Sequence, residues 1–170
     1  MKNVAVIGAG ITGISLANLL QKKVKLTVFE KSRGVGGRMA TRRAEPYQFN
    51  HGAQYFKIEN KEFKNFLQPL IQNKIIKHLE ANHIEILNKE VIKRTKTYNK
   101  IYYTPVSKMN SVVKYFINNN FFIKLLCKIE KTVKENDKWF IINSDNVSYG
   151  PYDWLFIPIP PNQALEILYN

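Results

Sequence analysis

The stretch from Val4 to Gly13 reads VAVIGAGITG, and it decides the fold. Its first four residues, Val4 to Ile7, are apolar and predict a short strand that runs directly into three glycines. Residues Ile11 to Gln21 have the apolar spacing of a helix packed on a sheet. Lys25 to Phe29 is rich in branched and aromatic residues and predicts a second strand. The chain therefore begins with a β-α-β unit, which favours an α/β fold built on a parallel sheet.

Each glycine of this stretch has a physical reason in such a unit. Gly8 permits the tight turn out of the strand, Gly10 lets the backbone approach a pyrophosphate, and Gly13 lets the helix pack closely on the sheet. Glu30 ends the second strand, where its carboxylate can accept hydrogen bonds from ribose hydroxyls. The charge of Glu30 disfavours a 2′-phosphate and therefore NADP, although the nearby cations Lys31 and Arg33 weaken that exclusion. The pattern predicts a dinucleotide site.

A second glycine segment, Gly36-Gly37-Arg38, follows directly after this unit. Two glycines allow the loop to pass close over a ligand, and Arg38 can give charge-assisted bonds to phosphate oxygens. Six of the eight glycines fall within the first 37 residues, so a purely structural explanation would require coincidence. The alternative is a glycine turn followed by a solvated arginine. In this order and spacing, the segments favour a flavin dinucleotide over NAD alone.

The remainder of the chain predicts short elements around this core. Residues 31 to 52 are expected to be an extended loop, because they contain four glycines and Pro46. The other predicted elements are helices at Glu62 to Asn73, Val112 to Asn118 and from Gln163, short antiparallel strands between Ile75 and Tyr103, a strand at Phe121 to Cys127, a three-stranded meander from Ile129 to Tyr149, and a buried strand at Asp153 to Ile157.

Composition narrows the function classes. The chain has 26 basic and 13 acidic side chains, a formal charge of +13, but its lysines are spread along the sequence. Lysines spread in this way indicate a solvated surface, so no specific nucleic-acid site is predicted. No membrane span is predicted either, because no run of about 20 apolar residues occurs. The single cysteine, Cys127, excludes an intramolecular disulfide and favours a buried thiol in a cytoplasmic protein. His51, His78 and His83 lack a cluster with metal-ligand spacing, so no metal site is predicted.

The sequence resembles the FAD-dependent amine oxidase superfamily, and within it the renalase-like oxidoreductases. The resemblance rests on VAVIGAGITG, FEKSRGVGGRMATRR, FNHGAQYF, YYTPVSKMNSVVKYF, NDKWFI and YDWLFIPIPPNQALEIL, in that order along the chain. It implies a Rossmann-like FAD-binding domain at residues 1–60 and 105–170, with residues 61–104 as part of an antiparallel substrate-domain sheet. Asn50 stands where the family usually has Asp, so we expect a local hydrogen-bonding role there without a charge.

The resemblance also assigns candidate residues. Thr12 would lie in the phosphate loop, Arg38 on the pyrophosphate, Gln54 and Tyr55 near the flavin ring, and Ile129 near the adenine. The candidate cofactor-binding residues are Gly8, Gly10, Ile11, Thr12, Gly13, Glu30, Lys31, Gly37, Arg38, Gln54, Tyr55 and Ile129.

The implied activity is an FAD-dependent oxidoreductase that moves a hydride from an amine or a dihydronicotinamide-type small molecule to the flavin. No catalytic residue is predicted, because the flavin supplies the chemistry. The family's Gly-Asp segment is missing from the sequence, and its members are longer, so we expect this chain to correspond to their N-terminal half. The alternative is a non-catalytic dinucleotide-binding fragment, or one half of a split flavoenzyme with a separate C-terminal half as its partner.

Overall fold

The computed structural model describes residues 1–97 and 102–168. Residues 98–101, within the predicted insertion at 61–104, and residues 169–170 lie outside the described residues. The strands are β1 (Lys2–Ile7), β2 (Val24–Phe29), β3 (Arg42–Ala44), β4 (Tyr47–Phe49), β5 (Phe56–Lys57), β6 (Ile76–His78), β7 (Ala81–Leu87), β8 (Glu90–Thr97), β9 (Tyr102–Pro105), β10 (Phe122–Lys124), β11 (Ile129–Glu135), β12 (Lys138–Asn143), β13 (Ser148–Tyr152) and β14 (Trp154–Phe156). The helices are α1 (Ile11–Leu20), α2 (Lys61–Gln72), α3 (Asn110–Tyr115) and α4 (Pro161–Leu168). Across the two described ranges, every helix is too short or too polar to cross a membrane.

The chain divides into two compact units. The first contains residues 1–40 and 113–170, and the second contains residues 41–112. The predicted insertion at 61–104 lies inside the second unit.

A parallel sheet with the order β10-β2-β1-β14 forms the centre of the first unit. In its register, Val4 of β1 pairs with Leu26 on one side and with Trp154 on the other. The predicted β-α-β unit is confirmed, because β1, α1 and β2 follow one another and the two strands are parallel. Since the four strands run the same way, their carboxyl ends meet at one edge, where α/β sheets usually bind ligands.

The two faces of β1 pack in opposite directions, because successive side chains of a strand alternate. Ala5 and Ile7 belong to a buried cluster that includes residues of the antiparallel meander β11-β12-β13. The ring of Phe29 belongs to the same cluster and lies 5.2 Å from the ring of Tyr149 and 6.2 Å from that of Tyr152. Full burial of a phenylalanine side chain contributes about 1.5–3 kcal/mol. The predicted meander is confirmed, and it anchors the end of β2.

The second unit contains a three-stranded antiparallel sheet with the order β5-β9-β6, together with the hairpins β3-β4 and β7-β8. Helix α2 begins at an Asn60 cap, whose Oδ1 accepts the backbone N–H of Phe63 at 2.7 Å. Leu67 and Leu70 of α2 are buried. Pro69 lies inside this helix without ending it, since α2 continues to Gln72.

Three predictions of local structure were wrong. Residues 31 to 52 are not entirely irregular, because β3 and β4 form a hairpin around Glu45 and Pro46. Their strands are too short and polar to show an apolar pattern. The predicted strand from Phe121 to Cys127 is restricted to β10, since Leu126 has a positive φ of 54° and interrupts it. Trp154 is 50% exposed, rather than buried, because β14 is at an edge of the described sheet.

Candidate functional site

The turn after β1 begins at Gly8, at the carboxyl edge of the parallel sheet. Gly8 has a φ of +113°, and its N–H donates to the carbonyl of Phe29 at 2.8 Å. A Cβ atom on Gly8 would lie 2.6 Å from Cγ2 of Ile159. Both the backbone conformation and the close neighbour therefore require glycine at this position.

Gly10 and Gly13 occupy opposite environments at the start of α1. Gly10 is the N-cap residue in an extended conformation, and a Cβ atom built on it meets no atom of the described chain within 4 Å. A Cβ atom on Gly13 would lie 2.0 Å from the carbonyl oxygen of Gly8. Gly13 thus permits close packing, whereas Gly10 leaves open space beside the unpaired N–H groups of the first helical turn.

The second glycine segment lies directly against the first. The N–H of Gly36 donates to the carbonyl of Ala9 at 2.9 Å, and Gly36 forms a parallel bridge with Gly10. Gly37 has a φ of +54°, and its Cβ position is 3.2 Å from Cα of Gly10. The structure therefore brings together the two glycine segments that the sequence separates by more than 20 residues.

Glu30 connects the end of β2 to both loops. It is 7% exposed, and its Oε2 accepts the N–H of Ala9 at 2.8 Å. Its Oε1 accepts the N–H of Ser32, also at 2.8 Å. Each carboxylate oxygen has a second lone pair, so Glu30 keeps capacity to accept hydroxyl donors.

These elements surround a cavity of about 300 Å³, which we name the glycine cavity. Its lining consists of the two glycine loops, the start of α1, the residues that follow β2, the loop before α4 and the first turn of α4. The lining residues are Gly8, Gly10, Ile11, Thr12, Glu30, Lys31, Ser32, Gly36, Gly37, Arg38, Met39, Pro158, Ile159, Pro160 and Gln163.

A second cavity of about 100 Å³, the Cys127 cavity, adjoins it. It is more apolar in composition and contains the candidate residue Ile129. Its lining residues are Ile7, Gly8, Phe29, Glu30, Lys31, Cys127, Lys128, Ile129, Ile159, Gln163, Glu166 and Ile167. Five residues line both cavities, so the two cavities are neighbours, and we name the pair the groove. The shared residues are Gly8, Glu30, Lys31, Ile159 and Gln163.

Cations line both ends of this groove. Arg38 is exposed at the glycine cavity and forms no ion pair with any residue of 1–97 or 102–168. Nζ of Lys31 is 3.5 Å from Oε1 of Gln163. Nζ of Lys128 donates to Glu130 at 2.9 Å, and this bond raises the pKa of the Lys128 ammonium, which keeps it charged. The end of the groove at Arg38 therefore suits a negatively charged group, whereas the Cys127 cavity also contains the carboxylates of Glu30 and Glu166.

Two candidate residues, Gln54 and Tyr55, lie in the second unit. The backbone carbonyl of Gln54 accepts the hydroxyl of Thr104 at 3.3 Å, and the ring of Tyr55 contacts that of Tyr102. Their position near a flavin ring stays a prediction.

Asn50, also in the second unit, has the expected local hydrogen-bonding role. Its Oδ1 accepts the N–H of Met109 at 3.0 Å and the hydroxyl of Thr41 at 2.8 Å. An uncharged oxygen is sufficient for both bonds.

Sequence reasoning missed the wall formed by Ile159 and Gln163. These residues follow β14, which pairs with β1 although about 150 residues separate the strands. The available signal was the predicted strand at Asp153 to Ile157, because the residues after a parallel strand fall at the ligand-binding edge.

Residues 6–70 match the model of the NAD(P)-binding Rossmann-like domain family. Renalase of Mus musculus is 28% identical in an alignment that covers 98% of this chain and 49% of renalase. Prenylcysteine oxidase 1 of Bos taurus is 41% identical over 73 residues, which are 41% of this chain and 14% of that protein. The chain therefore spans about half the length of renalase, and less of prenylcysteine oxidase.

Solved structures show the same fold. A protein assigned as a protoporphyrinogen oxidase from Exiguobacterium sp. 255-15 superposes with a TM-score of 0.69 at 11% identity, covering 98% of this chain and 61% of that one. The tetracycline destructase Tet(51) has the same TM-score and identity, covering 100% of this chain and 42% of its own. The match to renalase along the chain and the shared fold therefore support the resemblance to the FAD-dependent amine oxidase superfamily.

Proposed function

We propose that the chain binds FAD and contributes to a flavin-dependent oxidoreductase. One observation carries this proposal: two neighbouring cavities share the buried carboxylate of Glu30, with the open glycine turn on one side of it and the pocket beside Ile129 on the other. Pyrophosphate, ribose and adenine follow one another in the same order in a dinucleotide.

The phosphate end of this proposal rests on the surroundings of Gly10. Because a Cβ atom there meets nothing within 4 Å, a phosphate can approach the backbone where a side chain would obstruct it. Ile11 and Thr12 begin α1, whose N–H groups and dipole favour an anion. We assign the pyrophosphate to this turn and to Arg38, with Gly37 giving the second loop its close approach.

The adenosine end rests on Glu30 and the Cys127 cavity. We assign the ribose hydroxyls to the Glu30 carboxylate and the adenine to the pocket beside Ile129. Lys31, which lines both cavities, would face the ribose and the nearest phosphate. A 2′-phosphate beside the buried carboxylate would create like-charge repulsion, which favours FAD over NADP.

FAD, when bound, accepts a hydride from the substrate. We propose an amine or a dihydronicotinamide-type small molecule as that substrate, following the resemblance to renalase-like oxidoreductases. Gln54 and Tyr55 are proposed near the flavin ring on the same basis. The tasks of this chain's residues are to hold the cofactor and orient it. The single cysteine fits a reducing compartment, and we propose the cytoplasm.

A second candidate function is non-catalytic dinucleotide binding, or service as one half of a split enzyme. The observation that favours it is that the residues of the groove are all assigned to the cofactor and none to a substrate. A separate polypeptide would then complete the substrate site.

The test is the visible absorption spectrum of the purified chain after addition of FAD and removal of unbound FAD. We expect about one retained flavin per chain in the parent protein, and strongly reduced retention after Gly10→Val. Gly34→Val is the matched control, since Gly34 is exposed, does not line the glycine cavity, and its added Cβ meets nothing within 4 Å. A parent chain that retains no FAD would overturn the proposal. Flavin reduction by substrate in the chain alone would exclude the non-catalytic alternative.

A further inference from the structure

One face of the β5-β9-β6 sheet carries polar, charged and aromatic side chains. Lys57 of β5 pairs with Tyr102 of β9, and Lys77 of β6 pairs with Thr104 of β9. Paired residues in neighbouring antiparallel strands lie on the same face, and residues two apart share it. We name the face formed by Lys57, Lys77, Tyr102 and Thr104 the open face. The opposite face is covered, since Tyr103 is 4% exposed.

Two tyrosines form an aromatic platform on the open face. The ring of Tyr55 lies 5.6 Å from the ring of Tyr102, at an angle of 65°. Tyr55 is 45% exposed, so part of this platform is accessible to a ligand. An aromatic pair with this spacing can take a third planar ring at its edge or face.

The chain's own ammonium group already lies on this platform. Nζ of Lys57 is 5.2 Å from the centroid of the Tyr102 ring. Its hydrogen bond to Tyr102 raises the pKa of Lys57, so the group remains charged at neutral pH. Glu59 also approaches Lys57, at 3.7 Å, but both side chains are largely exposed and such pairs are weak.

The charges of the open face therefore discriminate between ligands. A cationic ligand would meet repulsion from Lys57 and Lys77 and would compete with Lys57 for the Tyr102 ring. A planar anion would gain both ammonium groups and the tyrosine surface. We propose that the open face binds a planar aromatic carboxylate, with its ring against Tyr55 and Tyr102 and its carboxylate between Lys57 and Lys77.

This binding needs only residues of the second unit and no flavin. Its role as the substrate surface of an oxidoreductase rests on the proposed function. In that role, the open face would favour anionic planar substrates and disfavour the amine named as one of the two proposed substrates, because amines are cations at neutral pH.

Two small molecules of the same shape and opposite charge test the proposal. Benzoate and benzylammonium are titrated into the full chain without FAD at low ionic strength, and the ring resonances of labelled tyrosines are followed by NMR. Each tyrosine resonance is assigned to its residue by substituting that tyrosine with phenylalanine. We expect benzoate to shift the resonances of Tyr55 and Tyr102 and to bind at least about fivefold more tightly than benzylammonium.

Substitutions then identify the contacts. Lys57→Gln combined with Lys77→Gln is expected to weaken benzoate binding about tenfold, whereas Lys64→Gln, an exposed lysine on α2, changes it less than twofold. Tyr55→Leu is expected to weaken it about threefold. Equal or tighter binding of benzylammonium would overturn the proposal, as would equal effects of the double variant and Lys64→Gln.

The two proposals fail in distinguishable ways. In Gly10→Ala we expect benzoate to bind as in the parent chain while FAD binding is weakened. Benzoate binding in a chain that takes up no FAD would refute the proposed function alone. FAD uptake without a preference for benzoate would refute only the assignment of the open face.

Discussion

The carboxylate of Glu30 accepts the backbone N–H of Ala9 at 2.8 Å, across the turn that joins β1 to α1. Its second oxygen holds the N–H of Ser32 at the same distance. This buried side chain therefore fixes the shape of the glycine turn before any ligand binds. We therefore assign two roles to the Glu30 carboxylate, which holds the glycine turn in place and binds the ribose hydroxyls.

Glu30→Gln is expected to lower the stability of the chain as well as its affinity for FAD. A carboxamide has one acceptor oxygen, so one of the two N–H groups faces an NH₂ group and loses its partner. A buried unsatisfied donor costs about 1–3 kcal/mol, which we expect as the loss in free energy of unfolding. Urea denaturation without FAD measures it. Glu135→Gln, at an exposed position of β11, is the control, and equal stability of both variants would contradict this role.

Gly10→Ala is expected to preserve the fold and impair the ligand site. The Cβ atom meets no protein atom within 4 Å, and the extended backbone of Gly10 is accessible to alanine. The free energy of unfolding should stay within about 1 kcal/mol of the parent value. The affinity for FAD should fall at least about tenfold, because the methyl group fills the space needed by the pyrophosphate. Denaturation curves and flavin titrations on the same preparation test both parts.

Gly13→Ala is expected to destabilise the fold, which Gly10→Ala is expected to preserve. Its methyl group would lie 2.0 Å from the carbonyl oxygen of Gly8, so the helix must move away from the turn. Overpacking of this kind costs about 1–3 kcal/mol or more, and the thermal midpoint should fall by several degrees even without FAD. A Gly13→Ala chain with unchanged thermal stability would show that α1 does not pack against Gly8 as described.

Asp153 gives the first unit a specific sensitivity to acid. Its carboxylate accepts Nζ of Lys138 at 2.6 Å, the N–H of Asn3 at 2.7 Å and Nζ of Lys2 at 3.2 Å. The hydrogen bonds from Lys138 and Asn3 hold the pKa of Asp153 well below its usual range, and the bond from Lys2 makes a smaller contribution in the same direction. A lowered pKa stabilises the folded chain above the unfolded value of about 3.9, and this contribution disappears as the pH falls through the folded value.

Asp153→Asn is therefore expected to lower the urea midpoint at neutral pH. Below about pH 4, the midpoint of this variant should fall less steeply than that of the parent chain. Urea midpoints measured from pH 7 to pH 2.5 provide the test. Asp137→Asn is the control, because Asp137 is almost fully exposed and pairs only with Lys134 at 3.0 Å within the described chain. If the urea midpoints of both variants fall with decreasing pH as those of the parent chain do, Asp153 is not the source of the acid sensitivity.

The sequence was most informative where local chemistry determines structure. The turn at Gly8, the start of α1 and the end of β2 depend on residues close in the chain, and all were predicted correctly. The contact between Gly10 and Gly36 and the bond from Ala9 to Glu30 depend on how the loops fold over one another. No spacing rule describes such contacts.

Two residues were placed wrongly or missed because their positions depend on long-range packing. Trp154 was expected in the core because its strand is apolar, yet only the position of β14 at a sheet edge leaves it half exposed. Gln163 was predicted in a helix but not at the groove, since that placement requires β14 to pair with β1. The hairpin around Glu45 and Pro46 escaped prediction because its strands are three residues long.

Arg38 allows the phosphate contact to be tested without disturbing the fold. It is exposed, lines the glycine cavity and has no ion-pair partner in the described ranges, so Arg38→Ala should change the free energy of unfolding by less than about 0.5 kcal/mol. A charge-assisted hydrogen bond is worth about 1.5–3 kcal/mol, which corresponds to an affinity for FAD about 10- to 150-fold weaker. Arg38→Lys should recover only part of it, because an ammonium cannot form the bidentate contact.

The matched control is Arg33→Ala, since Arg33 is exposed in the same loop but does not line the glycine cavity. Flavin fluorescence titrations at two salt concentrations measure the dissociation constants. Arg38→Ala should show a weaker dependence on salt than the parent chain, because screening acts on the charge that this variant removes, whereas Arg38→Lys keeps that charge and should keep the dependence. Similar losses of affinity in Arg33→Ala and Arg38→Ala would mean that the positive charge of the loop attracts FAD generally, and that Arg38 makes no specific phosphate contact.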